Sequence, residues 1–443
     1  MFKVGCSEEI LDVLLFVELY GYGFFAGRRN RGVHDPLYCR AFSFNDGERR
    51  AMIIYTDICT TDDLYAREMR AKIAGDLHIE PDYITLIATH THSGPALGVK
   101  CGYGFGEPNP AFQQIWKRAV MEVAAAAIRD EEEISHAEVG EAPLSNKLGK
   151  NRVVPEENIT DESIRWVKFL RSDGSCKVLL HSHGIHGIAM NGSYAKLVSA
   201  DWMGAVNRMI KERKLADMPL FMLGPCGDIN TYTSCIDLKN DTAADVIASQ
   251  YISDLGKNFA CGGEKFTDLK LSASFKTVRL PYVKQTAKEL LSDAKKFRSI
   301  NEYEGERANR IEEMVLLLEN GADLTRLHDF QVLGIGEISL MFIPGEFFVE
   351  DGAKLMEESV SNFPIAVTVA NGNGGYFPSF ANMKRYPTVD CKKDKLFGFY
   401  EVYSYPVALR FKYTDDVAEF VSSQLLDLER ESRKQNFQVI KSK

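Results

Sequence analysis

Several short apolar runs in this chain each stop at a cluster of histidine, carboxylate or glycine. Tyr83 to Thr89 (YITLIAT) runs into His90-Thr91-His92-Ser93-Gly94-Pro95, and Lys177 to His181 runs into Ser182-His183-Gly184-Ile185-His186-Gly187. Pro219 to Leu223 is followed by Gly224-Pro225-Cys226-Gly227-Asp228-Ile229-Asn230, and Leu340 to Ile343 by Pro344-Gly345-Glu346-Phe347-Phe348. Runs this short, bounded by turn residues, read as buried strands. Between them lie helical patterns: Asp62 to Ala74, the alanine-rich Ala111 to Arg129, and Trp202 to Glu212, with Ser199 or Asp201 as N-cap. Hairpins are expected around Asn45 to Glu48 and around Ser172-Asp173-Gly174. Such alternation predicts an α/β fold: a mixed β-sheet core of two packed sheets, flanked by helices, with the polar clusters and any metal site at strand ends.

The polar helical stretch Gln285 to Leu318 reads as a protruding hairpin or a covering helix pair. No repeat or Pro/Ser linker interrupts the chain, so a single domain over residues 1–430 is expected, with a polar C-terminal tail over 431–443. A net charge of -9 and a pI near 5.6 argue against a nucleic-acid partner, which needs clustered Lys and Arg. Nine scattered cysteines, with no CxxC pair, read as reduced core thiols. Leu11 to Phe16 is too short and interrupted for a signal peptide or a membrane span, so a cytoplasmic location is expected.

Histidines at 90 and 92, two apart, share a face if the strand continues through them. They can both bind a metal, or one can bind while the other handles protons, or both can be satisfied by backbone groups. His181 and His183 alternate within a strand and favour a structural role, whereas His186 leaves the strand after Gly184. Glu346, between a glycine turn and two aromatics, is either a ligand or an acid at a helix N-terminus. Asn371 to Tyr376 is glycine-rich, but it lacks both the spacing and the basic residue of a phosphate loop.

Taken jointly, these motifs resemble the catalytic domain of the neutral/alkaline (non-lysosomal) ceramidase family. The matching pieces run in order: His34-Asp35-Pro36-Leu37-Tyr38, THTHSGPA from Thr89 to Ala96, Asn151-Arg152, and His186-Gly187 with Met190-Asn191. They continue through Ser199-Ala200-Asp201, Gly227-Asp228, Pro344-Gly345-Glu346-Phe347 and Tyr376. The resemblance implies Zn2+ as cofactor, held by His90, His186, Glu346 and Tyr376. It implies that His92 and Arg152 contact the scissile amide, with Tyr400 as a second active-site tyrosine beyond an inserted segment. Two imidazoles, a carboxylate and a phenolate suit Zn2+ and leave a position for water. Asp57 and Asp201 are candidate orienters of histidine N–H groups, or helix caps.

At two points the chain departs from the family pattern. Where the family's GDxSPN turn carries an active-site serine, this chain has Asn230 in Gly227-Asp228-Ile229-Asn230. Asparagine is no nucleophile, but with Asp228 it can hold a polar group of the substrate. The chain also stops soon after the site, without the family's C-terminal β-sandwich. The function expected is therefore zinc-dependent hydrolysis of a linear amide by zinc-activated water, on a substrate other than ceramide. A metal-dependent esterase, lactonase or deacetylase is the first alternative, and a non-catalytic binding protein the second. The partner expected is a small-molecule amide or ester, with no nucleic acid and no transmembrane segment; a homo-oligomer stays open.

Overall fold

The computed structural model describes residues 1–22, 27–98, 105–232, 237–238, 241–299, 302–385 and 409–441. The Asn45–Glu48 turn forms as expected: Asn45 and Asp46 side chains accept the backbone N–H groups of Gly47, Glu48 and Arg49. It joins the strands Leu37–Asn45 and Arg50–Thr56 in antiparallel register. The strand Ile84–Ala88 then adds in parallel beside Arg50–Thr56, as a fully buried run can and an alternating one cannot. With Lys3–Leu11 and a short fifth strand these make the first five-stranded sheet. One of its faces is covered by the helix Pro110–Arg129, which buries Phe112, Trp116, Val120 and Val123.

A second five-stranded sheet contains Ser163–Leu170, Cys176–His183 and, parallel to the latter, Met218–Leu223. It meets the first through Phe169, whose ring lies 5.2 Å from that of Phe44 and 6.0 Å from that of Phe2. Leu271–Arg279, Leu327–Ile335, Ile338–Phe342 and Phe363–Val367 form a further four-stranded sheet. The core thus holds three large sheets, where two were expected. Among the described residues these last four strands form a sheet of their own and bury a separate face under the helix Val417–Lys441.

That helix corrects another expectation. The segment read as a polar tail continues a helix to Lys441, with Ser432 buried and Arg433 paired to Glu337. The helix Asp201–Glu212 begins without a side-chain cap at Ala200, although Ser199 Oγ accepts the N–H of Asp201. Residues 285–318 form the helix pair Ala287–Arg298 and Glu302–Glu319, which buries Leu290, Ala294, Phe297, Ile311 and Met314 in a small core of its own. Among the described residues Cys39, Cys59 and Cys226 are buried free thiols, while free Cys261 is exposed. No described helix is long and apolar enough to cross a membrane.

Asp351 lies in the helix Val349–Glu357, just beyond Glu346, where burial pushes its carboxyl up to about 7 against hydrogen bonds from Ser379 and Asn382. An unfolded aspartate titrates near 3.9, so between about pH 4 and pH 7 the folded chain holds the extra proton. The stability this group contributes is present below that window and lost as pH rises through it. Asp351→Asn is therefore expected to melt higher than the parent at pH 8, by about 1–2 kcal/mol, and to lose that advantage by pH 4. Thermal melts at the two pH values check this; equal differences at both would refute it.

Candidate metal and catalytic centre

His90, His186 and Glu346 each sit a few residues past the C-terminal end of a buried strand. Two short backbone pairings join these ends. Thr91 bridges Gly187 in parallel, and the His92 N–H donates to Gly187 O at 2.9 Å. The two-residue strands Glu346–Phe347 and Tyr376–Phe377 pair in parallel with Glu346 opposite Tyr376, which sets those side chains next to each other.

The strand expected to carry His90 and His92 on one face has already ended at Ala88. His90 is left-handed, with φ of 64°, so its ring reaches the centre by a turn and not by strand alternation. The two rings still converge: His90 Nε2 lies 3.4 Å from His92 Nε2, and the ring centroids are 4.9 Å apart. Glu346 Oε2 stands 3.4 Å from His90 Nε2 and 3.2 Å from His186 Nε2. All three side chains are buried.

Backbone carbonyls orient the imidazoles. His90 Nδ1 is 2.8 Å from Cys59 O, and His186 Nδ1 is 2.9 Å from Ile229 O. A carbonyl can only accept, so Nδ1 carries the proton in each ring and the Nε2 lone pair is left for the centre. Asp57 and Asp201, expected to orient histidines, face elsewhere. Asp57 accepts from Tyr55 Oη and the Tyr38 N–H, and Asp201 from the N–H groups of Ala189, Met190 and Trp202. Each carboxylate fastens a loop, because the carbonyls had already taken the Nδ1 protons.

The charge balance at the centre favours a cation. Burial alone would raise the Glu346 carboxyl, but the imidazoles of His90 and His186 hold it well below the ordinary range. Burial pulls His90 down, yet Cys59 and Glu346 outweigh it and the ring is held well above its ordinary value. His186 falls to about 4, through burial first and Arg152 next. His92 is held well below the ordinary imidazole range by burial and then by His90 and His186. A carboxylate shared by two imidazoles and neutralised by one proton is a donor set that a divalent cation fits in that proton's place.

Arg152 Nη2 donates to Gly227 O at 2.7 Å and to Tyr376 Oη at 3.1 Å, and lies 3.3 Å from His186 Nε2. Its position is set by Asn151, whose amide donates to Asp228 Oδ2 at 2.7 Å while the Arg152 N–H donates to Asp228 O. Asp228, expected to hold substrate, instead braces this turn and accepts the Val349 N–H at the start of the next helix. Asn230 lies opposite Lys150 in a short antiparallel ribbon, half-buried, with its amide oxygen lacking a hydrogen-bond partner among the described residues. Tyr400 lies outside the described residues.

His181 and His183 are structural, as expected: His181 bonds Tyr251 Oη and Asn207 Oδ1, and His183 lies against Ser163 O and Asp161. Sequence reading missed the segment behind His92. Tyr22 sets its ring edge-on to His92 at 4.9 Å, and Arg28 reaches the His92 carbonyl. It also missed Cys59, whose Sγ lies 3.4 Å from His90 Nδ1. No periodicity marks such residues; their only signal is proximity.

Residues 4–221 match the family described as neutral/alkaline non-lysosomal ceramidase, N-terminal. Two solved structures share the fold: a neutral ceramidase from Pseudomonas aeruginosa and a ceramidase complexed with C2. Each superposes with a TM-score of 0.73 at 14% identity, covering 98% of this chain and 75% of its own. The family these matches return is the one read from the motifs.

Proposed function

Taking the chain as ceramidase-like, we propose that it is a zinc-dependent hydrolase of linear amides, with the cation held by His90, His186, Glu346 and Tyr376. The observation that carries this reading is the approach of two imidazole Nε2 atoms to within 3.4 Å of one carboxylate oxygen, beside Tyr376 and Arg152. When bound, the cation supplies a Lewis acid and lowers the pKa of a coordinated water from about 15.7 to roughly 7.

The chain's own residues then have separable tasks. Arg152 is a permanent cation beside the ligand set, placed to bind the developing negative charge on a substrate carbonyl oxygen. His92, kept neutral, accepts a proton at Nε2 and returns it to the leaving nitrogen. Asn230 brings an amide with spare hydrogen-bonding capacity, suited to a polar group on a substrate other than ceramide. Burial of the three acidic and imidazole ligands excludes bulk water and strengthens each of these interactions.

The experiment is metal removal and return. Chelation is expected to abolish turnover of a panel of N-acyl aminocoumarins, with Zn2+ at one equivalent restoring it. Binding should also raise stability independently of activity, by about 2.7 kcal/mol when free metal is a hundredfold above Kd. A purified chain that carries almost no zinc, and neither melts higher nor turns over when zinc is added, would sink the reading. Esters and lactones in the same panel decide between amide cleavage and the esterase or lactonase alternative.

A further inference from the structure

Behind His92 lies a buried cation that meets carbonyls in place of carboxylates. Arg28 is 2% exposed, and its guanidinium donates to three chain segments: Nη1 to Ala195 O at 2.8 Å, Nη2 to Tyr20 O at 2.7 Å and to His92 O. Among the described residues no carboxylate pairs with it. The same guanidinium lies over the Tyr22 ring at 4.7 Å, and that ring stands edge-on to His92. Gly21 between them has φ of 114°, and a Cβ there would fall 2.5 Å from His92 Cγ. The segment Tyr20–Tyr22 is therefore pressed directly against the His92 ring, and Arg28 is the group that draws both toward Ala195.

A buried guanidinium is costly unless its N–H groups find acceptors, and Arg28 Nε has none among the described residues, whereas neutral donors would suffice to hold these carbonyls without any charge. What Arg28 adds is directional: a planar fork reaches three carbonyls from two nitrogens held at fixed spacing, whereas a lysine offers its three donors from a single nitrogen. We infer that Arg28 is a positioning residue that acts through His92, using Tyr22 as the wall that fixes the His92 ring toward the reacting amide. It touches neither the ligands' donor atoms nor the substrate. The inference rests on the proposed hydrolase function, in which His92 handles the proton.

A double-mutant cycle on N-acyl aminocoumarin turnover separates positioning from general support. Arg28→Met is expected to lower kcat about 30-fold, with KM changed less than about 3-fold and zinc content unaltered. In a His92→Ala background the same substitution should cost less than about 3-fold, because the residue it positions is already gone. Arg28→Lys should recover little, since a single ammonium nitrogen cannot reproduce the spacing of Nη1 and Nη2. Should Arg28→Met fail to fold, Tyr22→Leu runs the same cycle, with the same subadditive result expected. Full additivity of the losses, or a kcat untouched by either substitution, would overturn the inference while leaving the hydrolase reading intact. A wild-type chain without turnover fails a step earlier and takes the inference with it.

Discussion

His90→Ala is expected to lower kcat/KM by about a thousandfold or more, roughly 4 kcal/mol of transition-state stabilisation. The effect is large because His90 meets two other side chains of the centre at once. Its Nε2 faces Glu346 Oε2 and His92 Nε2, and its Nδ1 is tied to Cys59 O. Alanine removes a proposed ligand and leaves Glu346 buried against one neutral imidazole, where a carboxylate is no longer favoured. Zinc content should fall with activity, and both are measured on the same preparation. Retained zinc with lost turnover would move His90 from proposed ligand to proton carrier; retained turnover would take His90 out of the reaction and refute the metal site proposed around it.

Gly187→Ala should damage the same centre without touching a donor atom. A Cβ at Gly187 would fall 2.7 Å from His90 O, 2.9 Å from the Thr91 Cα and 2.6 Å from the Met203 Cε. Met203 can swing away, but the other two atoms are backbone. The Thr91–Gly187 bridge, with the His92 N–H on Gly187 O, must open to admit the methyl. Overpacking of this kind costs about 1–3 kcal/mol, and here the opening separates the loops that carry His90 and His186. We expect zinc affinity to fall at least about tenfold, roughly 1.4 kcal/mol, with the melting temperature reduced even in metal-free protein. Isothermal titration with zinc, alongside melts of both forms, checks this. Unchanged affinity would mean that the loops are held in place by the Trp202 Nε1 bond to His186 O and by Thr91 Oγ1 on Ser199 O, and not by the bridge.

How much of the molecule could be read from its sequence depends on the range of the contacts involved. The strands Ile84–Ala88, Cys176–His183 and Met218–Leu223 were legible because a buried strand writes itself as a short apolar run, and the helix Pro110–Arg129 because its apolar stripe repeats within the helix. The number of large sheets was not legible, since pairing joins strands far apart in the chain and any run can pair with several others. His90, His186, Glu346 and Tyr376 could be singled out only through the order of family motifs. Their approach to one another depends on the Thr91–Gly187 bridge and the Glu346–Tyr376 register, neither of which leaves a local trace.

Where the sequence reading went astray, the reason is hydrogen-bond supply. Asp57, just past a strand end, and Asp201, in a family motif, were candidates to orient histidines, but the Cys59 and Ile229 carbonyls already take the Nδ1 protons, and so the two aspartates fasten backbone loops. Asp228 likewise goes to Asn151 and Val349. On its own, the amino-acid order determined the kinds of elements and the buried strand ends, because these are set by local periodicity and residue type. Tertiary structure alone decided which donors meet, which carboxylates are occupied elsewhere, and that Arg28 lies behind His92, because such contacts are chosen by backbone pairing between segments distant in the chain.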